Sequence, residues 1–266
     1  MKFQADHDYH IHSYLSPCGG EAGRDQTTAF ILEESRKRGC KQICVTDHYW
    51  DSAVPDKWGG YSSLNYDVIS QALPLPQAED CKFLFGCEAD MDREYQLTVP
   101  PERYDDFDFI VIAINHMHGS HACDQSLKTV PYIAEQLVKR FDAFLDKDLP
   151  FHKVGLAHLT DSLLFHGPGD PYLDVLRSIS DETWERLFKR MAEKGCGLEL
   201  NLRLEELTDA KYTETVLRPY RIAKAQGCKF YIGTDAHTPE GMERAKKRIP
   251  LMIDLLELEE SDKFIL

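Results

Sequence analysis

No run of about 18 apolar residues occurs in this chain, the length a helix needs to span the hydrocarbon of a bilayer. The opening MKFQADHDYH has no apolar core of a secretory signal. The eight cysteines contain no Cys-x-x-Cys pair, and with no export signal reduced thiols are the expectation. Positive charge is also short: 31 Lys and Arg stand against 45 Asp and Glu, a formal net charge of -14. That balance disfavours a protein that works by neutralising nucleic-acid phosphates, so a small substrate is expected, with no nucleic-acid and no membrane partner. There is no Pro/Gly/Ser-rich linker and no low-complexity tract to mark a domain break. Together these absences predict a cytoplasmic protein acting on a small molecule, and they leave its oligomeric state open.

What is present suits a large core. Hydrophobic residues make up 42% and charged residues 29% of 266 positions, the mix of an ordinary globular chain. The length exceeds a usual single domain, but α/β barrels run to about 250 residues as one unit. The segments TTAFILEESRKRG, VPYIAEQLVKRFDAFL, DETWERLFKRMAEKG and TETVLRPYRIAKAQG carry apolar residues at helical spacing, with Asp181 as an expected N-cap. Strand candidates are DYHI, QICVT, KFLFGCE, DFIVIAI, KVGLAH, GLELN and KFYIG, apolar and rich in β-branched or aromatic residues, as strands buried on both faces should be. Three junctions repeat one pattern, in which Gly39, Gly195 and Gly227 read as helix C-caps and Cys40, Cys196 and Cys228 as small residues entering the next strand. Alternating helix and strand over residues 1–266 predicts a parallel sheet in a single domain. Asp51 to Pro76 and Leu164 to Tyr172 read as long loops.

The strand ends hold the chemistry. In DYHIHSYLSPCGG, His10 and His12 are two residues apart, which in a strand turns both imidazoles to one face. Alone, such a motif is equally well two polar residues on a solvent face. At the same end of successive strands, however, stand Asp47 and His48, Glu88, His116 and His118, His158, Glu199 and Asn201, and Asp235 and His237. In a closed β/α barrel that end is where sites are built, and convergence of this kind is far more specific than one motif. Mixed imidazole and carboxylate donors suit zinc, manganese or iron without singling one out.

The ordered set HIH, VTDH, GCE, INHMH, Ala157-His158 and GTDAH resembles the successive motifs of the PHP (polymerase and histidinol phosphatase) superfamily, over almost the whole chain. The resemblance implies a distorted (β/α)7 TIM-like barrel with two or three divalent metal ions that hydrolyses phosphoesters. It implies that His10, His12 and Asp235 bind one ion, that Glu88 bridges it to a second held by His116 and His158, and that His48 and His237 hold a third. The family's further ligand beyond HxH has no His or Asp here. Cys18 stands near that place, either as a thiolate ligand favouring zinc, the reading preferred, or as a bystander. His118 competes with His116 for the fourth-strand position, where the family register favours His116, and is otherwise a substrate contact or a residue that supports a ligand from behind.

The chemistry expected of such a cluster is attack by a metal-bridged hydroxide, with cations lowering the pKa of water and binding phosphoryl oxygens. Glu88 belongs to that machinery as the bridging ligand, and Asp235 or His237 is the candidate proton donor to the leaving group. For phosphate recognition Arg203 is the first choice and Arg93 the second, although for Arg93 a surface role is the stronger reading. Asp47 and Asn201 are expected to orient ligands rather than bind metal. His7, His121 and His152 fall outside the register and read as surface or loop histidines, His166 lies in a loop, and LLELEESDK reads as the solvated end of a C-terminal helix. Trp50, Trp58 and Tyr61 either lid the site or pack on the barrel rim. A small phosphomonoester, histidinol phosphate first, is the leading substrate expectation. The alternatives are a phosphodiesterase or amidohydrolase-like enzyme on the same barrel, or a non-catalytic metal-binding module.

Overall fold

The computed structural model describes residues 1–266. Eight strands form: β1 (His7–Ile11), β2 (Gln42–Val45), β3 (His48–Tyr49), β4 (Lys82–Asp90), β5 (Phe109–Ala113), β6 (Val154–Leu156), β7 (Gly197–Leu200) and β8 (Lys229–Ile232). Nine helices join them: α1 (Gly20–Gly23), α2 (Thr28–Lys37), α3 (Tyr66–Ile69), α4 (Val130–Asp146), α5 (Pro171–Ser178), α6 (Asp181–Lys194), α7 (Leu204–Thr208), α8 (Ala210–Ala225) and α9 (Pro239–Leu255). Every ladder is parallel, in the order β1-β2-β4-β5-β6-β7-β8. β3 continues the path of β2 after a two-residue break and pairs with the far half of β4. The seven expected strands are therefore all present, and the sheet curls into a nearly closed barrel, the (β/α)7 architecture.

Closure falls between β1 and the segment after β8. The backbone N–H of Asp235 donates to the His10 carbonyl at 2.7 Å and that of His12 to the Ala236 carbonyl at 3.1 Å. Below these bonds an ion pair crosses the seam: Arg38, following α2, donates to Asp8 Oδ2 at 2.6 Å, while Asp8 Oδ1 accepts from the Thr234 backbone at 3.0 Å. Both side chains are buried, 8% and 0% exposed.

Alternation along the strands sorts the two faces. Outward, Ile110, Ile112 and Ile114 join the main core beneath the helices. Inward, Tyr9, Leu84, Phe109, Val111, Tyr231 and Phe264 fill the lower barrel. Phe264 enters from below, its N–H bonded to the Phe230 carbonyl at 2.8 Å. Room for this packing comes from Gly155, where a Cβ would sit 2.4 Å from the Tyr231 ring. Gly39, Gly195 and Gly227 adopt positive φ, as helix-ending glycines do. No helix is long and apolar enough to cross a membrane.

Several expectations are corrected. The N-cap of α6 is Ser180, whose extended backbone lets its side chain accept from the Thr183 N–H, and Asp181 is the first helical residue. The stretch from Asp51 to Pro76 contains α3, capped by Asn65, and the Leu164–Tyr172 segment ends inside α5, which Pro171 starts. α9 stops at Leu255, and the acidic tail is not its end. Leu256 and Leu258 are buried, while Glu260 accepts from the Gln4 backbone at 2.7 Å and so ties the tail to the N-terminal segment. His7 is buried rather than surface, and its Nε2 accepts the Ile232 N–H at 3.0 Å.

Two measurements check this scaffold. Arg38→Met leaves the Asp8 carboxylate buried without its cation and should cost about 3–5 kcal/mol in urea unfolding; a loss below ~1 kcal/mol would show that the seam does not depend on the pair. Burial holds the His7 pKa below its ordinary value of 6.5. His7 must then stay neutral in the folded chain, so its contribution is complete above about pH 6.5 and is lost as the pH falls below it. The stability advantage of the wild type over His7→Gln should shrink between pH 7.5 and 5.5, and a constant difference would contradict the assignment.

Candidate metal centre and active site

Around Glu88, at the C-terminal mouth of the barrel, the strand ends bring six imidazoles and a second carboxylate together. His10 is held from below: its Nδ1 lies 2.7 Å from Glu199 Oε1, which turns Nε2 upward. Gly233 makes that contact possible, because a Cβ there would overlap Glu199 Oε1 at 1.8 Å. His12 is fixed through a relay. Ser16 Oγ donates to Asp47 Oδ1 at 2.6 Å and so accepts from His12 Nδ1 at 2.9 Å. Ser13 donates to the same carboxylate through N–H and Oγ. With both Nδ1 atoms engaged, His10 Nε2 and His12 Nε2 face each other at 3.1 Å. Two lone pairs at that separation repel unless a cation, a proton or a metal ion, lies between them.

The other donors complete the cluster. Asp235 Oδ1 lies 3.1 Å from His12 Nε2 and 3.6 Å from His10 Nε2. Glu88 Oε2 is 3.4 and 3.7 Å from the same two nitrogens and 2.7 Å from His48 Nδ1. Its other oxygen, Oε1, is 3.1 Å from His158 Nε2 and 3.7 Å from His116 Nε2. Asp90 Oδ1 sits 2.5 Å from His116 Nδ1. His237 Nδ1 donates to the Asp235 carbonyl at 3.0 Å, which leaves Nε2 facing His48 Nε2 at 3.4 Å. Cys18 Sγ lies 3.6 Å from His48 Nε2 and 3.6 Å from the Tyr61 hydroxyl, and Tyr61 stacks on the His48 ring at 4.4 Å.

These spacings fit metal ions. Ligand bonds of about 2.0–2.3 Å put neighbouring donor atoms roughly 3–3.7 Å apart. On the mouth side His10, His12 and Glu88 meet that condition at 3.1–3.7 Å, while Glu88 with His116 and His158, and His12 with His48 and His237, bring their donor atoms within 4.8 Å of one another. Glu88 Oε2 is buried and accepts no hydrogen bond, although His48 Nδ1 is close by, so it is an orphaned acceptor aimed into the cluster. Electrostatics agree. Burial raises the Glu88 pKa, but His48 and His10 overcome it and hold the carboxyl well below the usual range. The same opposition, burial against His10 and His12, keeps Asp235 ionised. Hydrogen bonds from His237 and His48 pull the Cys18 thiol down to about 5.

The cavity above the cluster has a volume of about 200 Å³ and is lined by Cys18, His48, Tyr61, Glu88, His116, His118, Leu163, Asp235 and His237. A larger groove of about 380 Å³ between α5 and α8 is lined by Arg177, Arg218 and Arg221, each ion-paired to a carboxylate, and its own carboxylates, Asp181 and Glu214, are taken up in those pairs, with no histidine or cysteine beside them. The smaller cavity is the one with chemistry.

Of the residues named from sequence, His10, His12, Cys18, His48, Glu88, His116, His158, Asp235 and His237 all come together here, and His118 lies at the cavity edge. Arg203 and Arg93 do not line it. Arg203 is turned to Glu206 at 2.7 Å and to Tyr172, and Arg93 packs over Trp58 with its Nε on the Ser120 carbonyl. Asp47 stays behind His12, and Asn201 accepts from Arg248. Trp50 is buried, Tyr61 alone of the three loop aromatics lines the cavity, and His152 and His166 are exposed. His121, expected at the surface, is buried with Nε2 3.6 Å from Asp90. Sequence reasoning missed Asp90 and Ser16. Asp90 was readable as the residue two beyond Glu88 on the same strand face; nothing in SYLSPCGG marks Ser16.

No protein-family model and no curated protein sequence matches the chain. Solved structures do. A histidinol phosphate phosphatase from Lactococcus lactis subsp. lactis Il1403, complexed with zinc, L-histidinol and phosphate, superposes with a TM-score of 0.59 over 98% of this chain and 99% of that one, at 18% identity. A Listeria monocytogenes protein assigned as histidinol phosphatase hisK gives 0.60 over 90% and 97%, at 14% identity. At such identities the likeness establishes the fold.

The thiol arrangement has a direct check. Cys18 is exposed and the other seven cysteines are buried, so iodoacetamide should alkylate Cys18 alone in the native chain, with Zn²⁺ slowing the reaction. Mass spectrometry reads the site, and a rate indifferent to Zn²⁺ would separate Cys18 from the cluster.

Proposed function

We propose that this chain, working as one barrel domain over residues 1–266, is a metal-dependent phosphoesterase that hydrolyses a small phosphomonoester, with histidinol phosphate the first candidate substrate. The observation that carries the reading is Glu88, a single buried carboxylate with one oxygen toward His10, His12 and His48 and the other toward His116 and His158. That is the disposition of a bridging ligand. The fold shared with a phosphatase holding zinc, L-histidinol and phosphate supports the same reading.

In this proposal His10, His12 and Asp235 hold one ion, and Glu88 shares a second with His116 and His158. His48, His237 and Cys18 hold a third. Imidazole and carboxylate donors accept zinc, manganese or iron, and the thiolate favours zinc at the third position. Bound there, such ions supply Lewis acidity toward the phosphoryl oxygens and lower the pKa of water to near neutrality.

The chain's own groups do the rest. Glu199, the Asp47–Ser16 pair and Asp90 lock His10, His12 and His116 with their Nε2 atoms toward the cluster, so little reorganisation accompanies the reaction. Asp235 and His237 flank the cavity and are the candidate proton donors to the leaving oxygen: ionised Asp235 would first take the proton of the attacking water, and His237, with Nδ1 committed to the Asp235 carbonyl, would donate through Nε2 only where that nitrogen does not hold the third ion. Of the three expected substrate contacts His118 is the one in position, and burial with the neighbouring His116 lowers its pKa to about 4, so it meets substrate as a neutral imidazole. Tyr61 and Leu163 wall the cavity against water. The net charge of -14 and eight free cysteines favour a small-molecule enzyme of the reducing cytoplasm over a nucleic-acid-binding one.

Phosphate release from a panel of mono- and diesters, histidinol phosphate included, tests this with protein loaded separately with manganese, zinc or iron. Turnover of one monoester should be metal-dependent and fall at least about 10³-fold in His10→Ala and Asp235→Ala, each of which removes a ligand from a group that acts as a unit. Stoichiometric metal binding with no ester cleaved under any metal would overturn the phosphatase reading.

A further inference from the structure

Asp90 and His121 lie just outside the cluster; Asp90 holds His116 in the proposal above, and His121, behind Asp90, has no part in it. Asp90 ends β4 on the same face as Glu88 and is 4% exposed. Its backbone is clamped by Thr98, which accepts from the Asp90 N–H through Oγ1 and donates its own N–H to the Asp90 carbonyl, both at 2.9 Å. One carboxylate oxygen takes His116 Nδ1 at 2.5 Å; the other faces His121 Nε2 at 3.6 Å. His121 is itself 4% exposed, and its Nε2 has no other partner.

The imidazole is caged in that pose. Trp50 meets it edge-on at 5.8 Å, and Gly119 is the only kind of residue that fits beside it, since a Cβ there would lie 2.5 Å from the ring. Arg140, fully buried with no carboxylate partner, donates to the carbonyls of Met91 and Asp92, which follow Asp90, and to that of Ala122, which follows His121. One guanidinium thus holds the backbone beside both residues. A buried imidazole with an unpartnered nitrogen, a carboxylate bonded through one oxygen and facing that nitrogen with the other, and a shared clamp amount to a built device at the back of His116.

We propose that Asp90 and His121 are positioning residues for the His116 side of the metal centre. Asp90 keeps His116 in the tautomer that turns Nε2 toward Glu88. His121 keeps the second Asp90 oxygen from rotating away. The inference rests on the metal-binding part of the proposed function and not on the identity of the substrate. Outer-shell carboxylates of this kind change metal affinity by about 10–100-fold.

The test is a Zn²⁺ titration of the full chain against a chromophoric chelator, which needs no substrate, with Asp90→Asn and His121→Gln beside the wild type. One ion per chain should bind about 10–100-fold more weakly in Asp90→Asn and several-fold more weakly in His121→Gln, the remaining ions being unchanged. If a substrate is in hand, excess metal should restore kcat in both variants, which a purely structural defect would not allow. Should Asp90→Asn fail to fold, His121→Gln decides alone. Wild-type affinity for every ion overturns the inference whatever happens to thermal stability, as does a wild type that binds no ion. A negative ester panel with the predicted loss of affinity removes the phosphatase reading and leaves this inference standing.

Discussion

One buried carboxylate organises the upper half of this molecule. Glu88 is 2% exposed, and five imidazole nitrogens lie within 3.7 Å of its two oxygens. An ionised carboxylate in that position costs several kcal/mol of desolvation unless positive charge surrounds it. Four strand ends meet this demand with five imidazoles. β4 runs on for nine residues, and β3 forms only where His48 pairs in register with Glu88. Asp235 takes a positive φ of 50°, the kind of local strain that persists where surrounding structure enforces it.

The same demand shapes what lies behind the ligands. Each of His10, His12 and His116 gives its Nδ1 to a carboxylate directly or through a hydroxyl, and His237 gives its own to a backbone carbonyl. Every one of these contacts fixes a ring and its tautomer at once, so the Nε2 lone pairs converge before any cation arrives. The lower barrel supports this by packing aromatics where a channel would otherwise run, with glycines admitting Tyr231 and Glu199. At the mouth, loops carrying Tyr61, His118 and Leu163 define a small cavity over the cluster.

Shared architecture does not by itself assign chemistry, because function resides in the site grafted on a fold. The donor geometry rests on this chain's own residues, and a histidinol phosphate phosphatase at 18% identity, with zinc, L-histidinol and phosphate bound, shares the fold. The departures lie in the neighbourhood of substrate. Neither arginine expected for phosphate recognition enters the cavity, and Arg203 is spent on Glu206 as the entry to α7. Its neighbourhood in sequence, two residues past Asn201, could not show that an acid one helical turn later would claim it.

The strands, the helix-ending glycines and the strand-end ligands were legible because each depends on local rules: β-branched runs, Gly-Cys junctions, and His-x-His parity on one face. Asp90 was legible in principle by the same parity. Helix α5, the buried state of His7 and His121, and the Ser16 relay were not, since they depend on partners 4 to 225 residues away along the chain. The sequence by itself determined which donor atoms exist and at which end of the barrel they emerge, because strand periodicity is a property of the backbone. Which oxygen of Glu88 faces which imidazole, which arginines are already paired, and which histidines are sealed from water were decided only when the barrel closed, because orientation and burial arise from contacts that no local stretch of chain contains.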